Sequence, residues 1–158
     1  MIVVYHDVGG AHSTALAANI HVNKLPMDRI PSKEELLELP TFDKIEKEQF
    51  GRLIYIGKDE FNTKVYTIAR KYNPELVIPA ITDMYTILIG DAKELLIVDT
   101  KPTVNFLMAL GGFTSRKLHW ISFGRPIVTK GTQQAYMDIV NLVRNTKDTL
   151  KQIKSQQK

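Results

Sequence analysis

The chain has 158 residues, of which 44% are hydrophobic and 24% are charged, and this composition is that of an ordinary soluble globular domain. A chain of this length can form one domain with a substantial hydrophobic core. It contains no cysteine, which excludes disulfides, thiolate metal sites and a cysteine nucleophile. We therefore expect a cytoplasmic protein.

The net charge of +4 arises largely in the last third of the chain. A basic surplus of this kind fits a small phosphorylated ligand, a nucleic acid or a solvated helix face. Aromatic residues are not interleaved with the basic ones, which argues against nucleic-acid binding. No segment approaches the roughly 20 apolar residues of a membrane span, and the first apolar run lacks the basic flank of a signal peptide. We expect no membrane association.

Strand-like and helix-like patterns alternate along the chain, which predicts an α/β domain. The first strand is expected at 2–5 and its helix at 11–23. Residues 24–50 contain three prolines and predict an inserted, largely helical connection, with short helices at 33–39 and 42–49. The first of these follows a capping-box sequence. The insertion can serve either as a lid over a ligand or as a packing element.

The middle of the chain predicts a β-hairpin, a helix and a buried strand. Residues 52–58 and 64–70 are strand-like and flank a polar loop. Helical spacing follows at 74–90 with Pro79 inside, so we expect either a kink there or a helix that begins at Pro79. Residues 94–100 form a continuous apolar run, which is typical of a strand buried on both faces.

The last third predicts a helix at 102–110 that ends at Gly111-Gly112. A strand is expected at 120–123, with a short extension at 126–128. The last helix, expected at 132–154, has the most regular apolar stripe of the chain, and residues 155–158 should fray. These elements predict a single three-layer α/β domain over residues 1–158, with a mostly parallel sheet and one β-hairpin.

The most informative segment joins the first strand to the first helix and contains Gly9, Gly10, Ser13 and Thr14. A strand, a glycine turn and a helix N-terminus together form an arrangement that binds anions, because backbone N–H groups and the positive end of the helix dipole face the ligand. We expect these four residues to bind a phosphate or a similar anion. The alternative is a tight turn in which Ser13 only caps the helix.

This first strand-helix unit is a degenerate version of a phosphate-binding loop. Ala11-His12-Ser13 stands where that loop has Gly-Lys-Ser/Thr, and the later strand ends in Asp99 as the second nucleotidase motif does. The missing lysine argues against ordinary ATP or GTP hydrolysis. If the chain is an enzyme, we expect phosphoryl or nucleotidyl transfer with His12 as acid/base. Asp99 would accept a proton or hold Mg²⁺ through water; alternatively, it caps the following helix.

Polar residues near other predicted strand ends complete the candidate site, since ligands of open α/β sheets bind beyond the carboxyl ends of the strands. Asn105, Arg116 and Arg125 are the further ligand-binding candidates. An arginine can neutralise a phosphate as a bidentate partner. The arginines can alternatively satisfy backbone carbonyls or pair with Asp or Glu.

Metal binding by the first loop is not expected. His6, Asp7 and His12 offer ligand atoms, but they lie in a loop without regular ligand spacing. A nucleophile pair of Ser13 and His12 is also disfavoured, because adjacent helical residues point about 100° apart.

A non-catalytic function is the alternative hypothesis. The chain would then be a regulatory or protein-interaction module that binds a partner through residues 24–50 or the edge of the hairpin. Exposure of Phe42, Phe50 or Phe61 would favour this reading, because clustered surface aromatics mark interfaces. The sequence does not determine the ligand or the oligomeric state.

Motifs that extend over nearly the whole chain resemble a known family. They are Tyr5-His6, Gly9-Gly10-Ala11-His12-Ser13, Gly51-Arg52-Leu53-Ile54, Val98-Asp99-Thr100-Lys101-Pro102, Gly111-Gly112-Phe113 with Ser115-Arg116, and Gly124-Arg125-Pro126-Ile127-Val128 with Gly131-Thr132 and Ala135-Tyr136. Together they resemble an uncharacterised family of small proteins from sporulating Gram-positive bacteria, known as a domain of unknown function. The resemblance implies a bacterial cytoplasmic protein and nothing about its substrate.

Overall fold

A computed structural model describes residues 1–116 and 121–156 of the chain, without the side chains of 114–116 and 121–123. Within these residues the chain forms four strands and six α-helices. In chain order they are β1 (Ile2–Asp7), α1 (Ser13–His21), α2 (Lys33–Glu38), β2 (Ile54–Lys58), β3 (Lys64–Ala69), α3 (Pro74–Ile89), β4 (Leu95–Asp99), α4 (Phe106–Arg116), α5 (Ile121–Gln134) and α6 (Tyr136–Gln156).

The four strands form one mixed sheet in the order β2-β3-β1-β4. Strand β1 is parallel to both of its neighbours, and His6 lies opposite Ile68 on one side and Asp99 on the other. Strand β2 pairs antiparallel with β3, which confirms the predicted hairpin. The α/β class and the mostly parallel sheet are likewise confirmed. The parallel register brings the carboxyl ends of β1, β3 and β4 to one edge of the sheet.

The hydrophobic core lies between one face of the sheet and helices α1 and α6. Val3 and Tyr5 of β1 point into it and are fully buried. They meet Leu16 of α1 and Ile139 of α6, while the small alanines of α1 allow this helix to lie close to the strands.

The inserted residues 24–50 pack against this core. Leu36 of α2 is fully buried there. Helix α2 begins with the predicted capping box, in which the Ser32 hydroxyl accepts from the Glu35 N–H and the Glu35 carboxylate accepts from the Ser32 N–H. The second short helix, expected at 42–49, is reduced to a 3-10 turn at Lys47–Gln49. The burial supports a packing role for the insertion.

The opposite face of the sheet is only partly covered. Ile2 and Val4 alternate with the core residues and therefore point to this side, where they and α3 line an apolar groove. Helix α3 begins at Pro74 and contains Pro79 in its interior, so a start at Pro79 is wrong. Strand β4 is an edge strand with all five residues partly exposed, so the expected burial on both faces is also wrong.

The last third departs furthest from the prediction. The strand at 120–123 with its extension at 126–128 is wrong where the structure describes it, because residues 121–134 form helix α5; Trp120 lies outside the described residues. Helix α4 continues through Gly111 to residue 116. The glycine serves packing: a Cβ on Gly111 would lie 2.4 Å from the Val128 backbone nitrogen in α5. The last helix begins at Tyr136 and extends to Gln156, so residues 155–156 are helical and 157–158 lie outside the description.

Candidate functional site

The carboxyl edge of the sheet carries a dense set of polar residues. Strand β1 ends at Asp7, Arg70 follows β3, and Thr100 follows β4. Backbone hydrogen bonds connect the three ends, since the Arg70 N–H donates to the Asp7 carbonyl and the Thr100 N–H donates to the carbonyl of His6. The glycine loop, residues 8–12, begins at this edge and leads into α1.

The side chain of Asp7 fills the glycine loop. Its Oδ1 accepts from the Gly9 N–H at 2.9 Å and from the Gly10 N–H, and its Oδ2 accepts from the Ser13 hydroxyl at 2.6 Å. Gly10 has φ +70°, and a Cβ there would lie 2.8 Å from the Cβ of Ala69. Glycine is therefore required at position 10 both by conformation and by space.

The hydroxyl groups behind the loop form a buried chain. The Oγ atom of Ser13 lies 2.9 Å from Oγ1 of Thr100, and Oγ1 of Thr14 lies 3.0 Å from the same atom. The Ser13 hydroxyl donates to Asp7, and the Thr100 hydroxyl donates to the carbonyl of His6 at 3.2 Å. All three hydroxyl residues are fully buried.

These contacts define what the loop does in this structure. Four of the residues assigned to an external anion, Gly9, Gly10, Ser13 and Thr14, are brought together as expected. The two glycine N–H groups and the Ser13 hydroxyl surround a carboxylate, but this carboxylate belongs to the chain itself. Asp7 therefore holds the place that the sequence analysis gave to a ligand anion.

A second cluster, which we call the His12 cluster, comprises His12, Asp43 and Arg125. His12 Nε2 lies 3.2 Å from Asp43 Oδ1, and the Arg125 Nε donates to Asp43 Oδ2 at 3.1 Å. The Asp43 side chain is only 1% exposed. Its backbone has φ +53°, and its N–H donates to the carbonyl of Ala11, which fixes the insertion against the glycine loop.

The ring of His12 is held from two further sides. It meets the ring of Phe42 edge to face, with 5.5 Å between centroids. On another side lies α4, where a Cβ on Gly112 would come within 3.1 Å of His12 Cε1. The His12 cluster therefore joins the glycine loop, the insertion and α4 and α5 at one place.

A third cluster consists of His6, Arg70 and Asp99. The Arg70 Nε donates to His6 Nδ1 at 2.9 Å, so His6 Nδ1 carries no proton and its imidazole is neutral. Burial lowers the pKa of His6, and the positive charge of Arg70 lowers it further, against the opposing effect of Asp99. Arg70 also reaches Asp99 Oδ2 at 3.4 Å, while Asp99 Oδ1 accepts from the Lys101 N–H.

The remaining predicted residues lie at different places. Asn105 caps α4, with its Oδ1 accepting from the Met108 N–H and its Nδ2 donating to the carbonyl of Gly131. Arg116 is the last residue of α4, and its side chain lies outside the description. Asp99 Oδ1 accepts from the N–H of Lys101 at the start of the 3-10 turn Lys101–Thr103, whose N-cap is Thr100, and Asp99 also contacts Arg70.

Sequence reasoning missed Asp43 and Arg70. Asp43 lies 31 residues after His12 in a segment without regular structure, and no local pattern connects the two. A signal for Arg70 was present: it directly follows a strand that is parallel to β1, and strand ends of that kind meet at one edge.

The other expectations concern metals, membranes and exposed aromatics. Within the described residues, no group of three His, Asp or Glu residues could hold a metal ion. The helices that the structure describes include none long and apolar enough to cross a membrane. Of the three aromatics that would mark an interface, Phe42 is fully buried, Phe50 is partly buried and Phe61 is half exposed.

Comparison with known proteins agrees with the resemblance seen in the motifs. The family model described as "Protein of unknown function (DUF3189)" matches residues 2–148, which is nearly the whole chain. No curated protein matches the chain, and no solved structure matches it. Because the match spans the glycine loop, the His12 cluster and the cluster of His6, Arg70 and Asp99, the chain belongs to the DUF3189 family of proteins of unknown function.

Proposed function

We propose that this protein binds a small phosphorylated ligand at the outer side of the glycine loop and that His12 acts there as acid and base. The observation that carries the proposal is the His12 cluster, in which a buried carboxylate orients an imidazole and holds a guanidinium beside it. A base oriented by a third group, next to a cation that neutralises an anion, is the arrangement that group-transfer chemistry requires.

Asp43 gives His12 a defined orientation. With Nε2 directed at Asp43, the proton that is exchanged with the ligand is the one on Nδ1. Asp43 also stabilises the imidazolium that forms when His12 accepts a proton, because its own charge is buried and close.

Phosphate-binding loops usually carry a lysine that neutralises the phosphate, and this loop has none. Arg125 supplies the positive charge instead. Its Nε is used by Asp43, which leaves the two terminal nitrogens for an anion. The side chain is 38% exposed, so a ligand can reach it. A guanidinium fixed at one nitrogen binds a phosphate with little loss of side-chain entropy.

Asp7 has a supporting role in this proposal. By accepting from Gly9, Gly10 and Ser13 it fixes the loop that presents His12. A phosphate that contacted those same donors would have to displace the carboxylate, so we place the ligand anion on Arg125. Asp99 is engaged by Arg70, and we assign the proton transfer to His12 alone.

A thermal-shift panel with phosphate, pyrophosphate and nucleoside mono- and triphosphates, each with and without Mg²⁺, tests the proposal. A ligand at about 100 times its Kd stabilises a fold by about 2.7 kcal/mol, which raises the Tm by several degrees. We expect a shift that Arg125→Gln abolishes and that Arg144→Gln leaves unchanged, since Arg144 donates to the carbonyl of Met27 in the insertion and is not part of the His12 cluster. A panel without any shift, or an equal shift in both variants, would contradict the proposal.

The alternative, a non-catalytic interaction module, is favoured by a different observation. The apolar surface of the structure is concentrated on α3 rather than on residues 24–50 or the hairpin edge. Such a surface is compatible with a ligand site at the carboxyl ends of the strands, because it lies on the partly covered face of the sheet.

A further inference from the structure

Helix α3 is rich in apolar residues but contributes no buried residue to the hydrophobic core. None of its sixteen residues, all of which the structure describes, is buried. Its exposed stripe consists of Leu76, Ala80, Met84, Ile87 and Leu88, which recur at helical spacing on one side. Monomeric soluble proteins rarely expose a continuous apolar stripe of this kind.

The stripe borders an apolar groove in the uncovered face of the sheet. The groove has a volume of about 550 Å³ and is lined by residues of the strands and of the stripe itself, namely Ile2, Val4, Tyr66, Ile68, Leu76, Ala80, Met84 and Leu88. A helix is about 10 Å wide, whereas four strands span about 14 Å between their outer axes, so one helix cannot cover the sheet. The groove is open to solvent, and an apolar occupant that displaces water from its lining is stabilised by the hydrophobic effect.

The charges around the groove indicate what that occupant is. Residues 74–89 contain two acidic residues, Glu75 and Asp83, and no basic residue. The two hairpin segments at 52–58 and 64–70, which flank the groove, contain four basic residues and no acidic one. Of these, Arg52, Lys58 and Lys64 are exposed. The helix of one copy therefore complements the strands of another in both shape and charge.

We propose that two copies of this chain associate face to face, with α3 of each copy lying in the groove of the other. The arrangement is isologous, because the helix and the groove lie on the same surface of each protomer. A 16-residue helix is about 24 Å long, so the two helix faces and two grooves together bury roughly 1,000 Å², which reaches the lower limit of a specific interface. The proposal does not depend on the function of the His12 cluster.

Sedimentation equilibrium of the full chain over about 1 to 200 µM tests the proposal, since interfaces near the lower size limit are typically weak and transient. We expect a monomer–dimer equilibrium. Ile87→Asp should raise the dimer Kd by about 100-fold, because the charge enters the apolar stripe twice in a symmetric dimer. Ile87 is 75% exposed, so the substitution leaves the folded monomer intact.

Phe106→Asp is the matched control, because Phe106 is 76% exposed but lies on α4. It should leave the Kd unchanged. A second measurement uses the absence of cysteine from the chain: Met84→Cys should form an intermolecular disulfide under mild oxidation, and Phe106→Cys should not.

Three results would overturn the proposal. The first is a monomer at all concentrations with no cross-link from Met84→Cys. The second is a monomer whose Tm rises on addition of a fatty acid, which would assign the groove to a small apolar ligand instead. The third is a dimer that Phe106→Asp disrupts and Ile87→Asp does not, which would place the interface on another face.

Discussion

A single carboxylate determines how the glycine loop is used. Asp7 accepts hydrogen bonds from two loop N–H groups and from Ser13, so the donors that would attract a phosphate are satisfied within the fold. Strand, glycine turn and helix N-terminus still form an anion-binding arrangement in the physical sense. The bound anion is the side chain of the residue that ends β1.

Removal of this carboxylate should destabilise the protein. Asp7→Ala leaves the N–H of Gly10 and the hydroxyl of Ser13 without their acceptor in a buried place, and we expect a loss of about 2 to 4 kcal/mol in the free energy of unfolding. Urea denaturation measures the loss. Asp7→Asn retains one carbonyl acceptor and should lose less, so equal losses in the two variants would contradict this account.

The same variant tests whether the loop can bind an external anion. Asp7→Ala leaves a small space surrounded by three donors, and acetate or phosphate should restore part of its stability. The control is Arg125→Gln, which keeps Asp7 but lacks the arginine proposed to bind phosphate: it should show no such anion-dependent gain, since Asp7 occupies the loop donors. A variant whose Tm is independent of acetate concentration would show that the loop is only a turn.

The buried histidines should make stability depend on pH. His21 accepts from the Tyr5 hydroxyl at Nδ1 and faces Asp59 at Nε2, and burial lowers its pKa against the raising effect of Asp59. In the unfolded chain His21 therefore binds a proton near pH 6.5, whereas in the folded chain it stays neutral at that pH. The free energy of unfolding should therefore fall as the pH drops below about 6.5, and stay constant just above it.

Denaturation in urea between pH 7.5 and 5, a span that includes the pKa of a free histidine at roughly 6.5, measures this effect. His21→Gln should flatten the dependence without abolishing it, because burial also lowers the pKa of His6. Asp59 acts in a lower window: hydrogen bonds from the Thr63 and Phe61 N–H groups outweigh burial and lower its pKa, so its contribution is lost only below about pH 4. An unchanged slope in His21→Gln would contradict the assignment.

At the scale of elements, close contact between α4 and α5 depends on glycine. A Cβ on Gly111 would lie 2.4 Å from the Val128 nitrogen, and one on Gly131 would lie 2.6 Å from the Met108 nitrogen. Backbone atoms cannot turn aside as a flexible side chain can, so the helices themselves must separate. Arg125 and Gly112 lie on these helices, and the His12 cluster therefore depends on their spacing.

Gly111→Ala should cost about 1 to 3 kcal/mol in the free energy of unfolding, the usual penalty for overpacking, despite the higher helix propensity of alanine. The control is Gly9→Ala, where an added Cβ meets no atom within 4 Å. Differential scanning calorimetry compares the two. A Gly111→Ala variant as stable as the wild type would show that α4 and α5 are not tightly packed in solution.

Elements with a strong local signal were predictable from the sequence. The capping box of α2 and the polar loop of the hairpin fix their neighbours through local hydrogen bonding, and both are confirmed. Elements whose residues make contacts with segments distant in sequence were not predictable in this way. Gly111 is typical of a helix end, but it lies inside α4 because α5 crosses there. Residues 121–123 were predicted as part of a strand but belong to a helix.

The same distinction applies to the candidate site. The predicted order of strand, glycine turn and helix at the start of the chain is confirmed, because these elements follow each other along the sequence. The partners of His12 and His6 were not found, since Asp43 and Arg70 reach them across 31 and 64 residues of sequence. Tertiary contacts decide the hydrogen-bond partners of a loop, and a local sequence pattern does not indicate them.

At the scale of the whole molecule, α6 connects parts that are distant in sequence. The Tyr136 hydroxyl donates to the carbonyl of Pro26 in the insertion at 2.5 Å, and Lys147 pairs with Glu60 at the hairpin loop at 3.0 Å. Between them, Ile139 and Val143 enter the core beside α1. The insertion, the hairpin and the sheet therefore share one helix as a common support.

This arrangement predicts that the chain unfolds in one cooperative transition. Far-UV circular dichroism, which follows all helices, and the near-UV signal of the buried tyrosines should give the same urea midpoint. A chain that ends at residue 135 should show no cooperative transition, because it lacks α6 and with it one wall of the core. Removal of residues 155–158 alone should change the free energy of unfolding by less than about 0.5 kcal/mol. Two separated urea midpoints would mean that the insertion unfolds independently of the sheet. A cooperative transition in the chain of 135 residues would mean that the core is stable without α6.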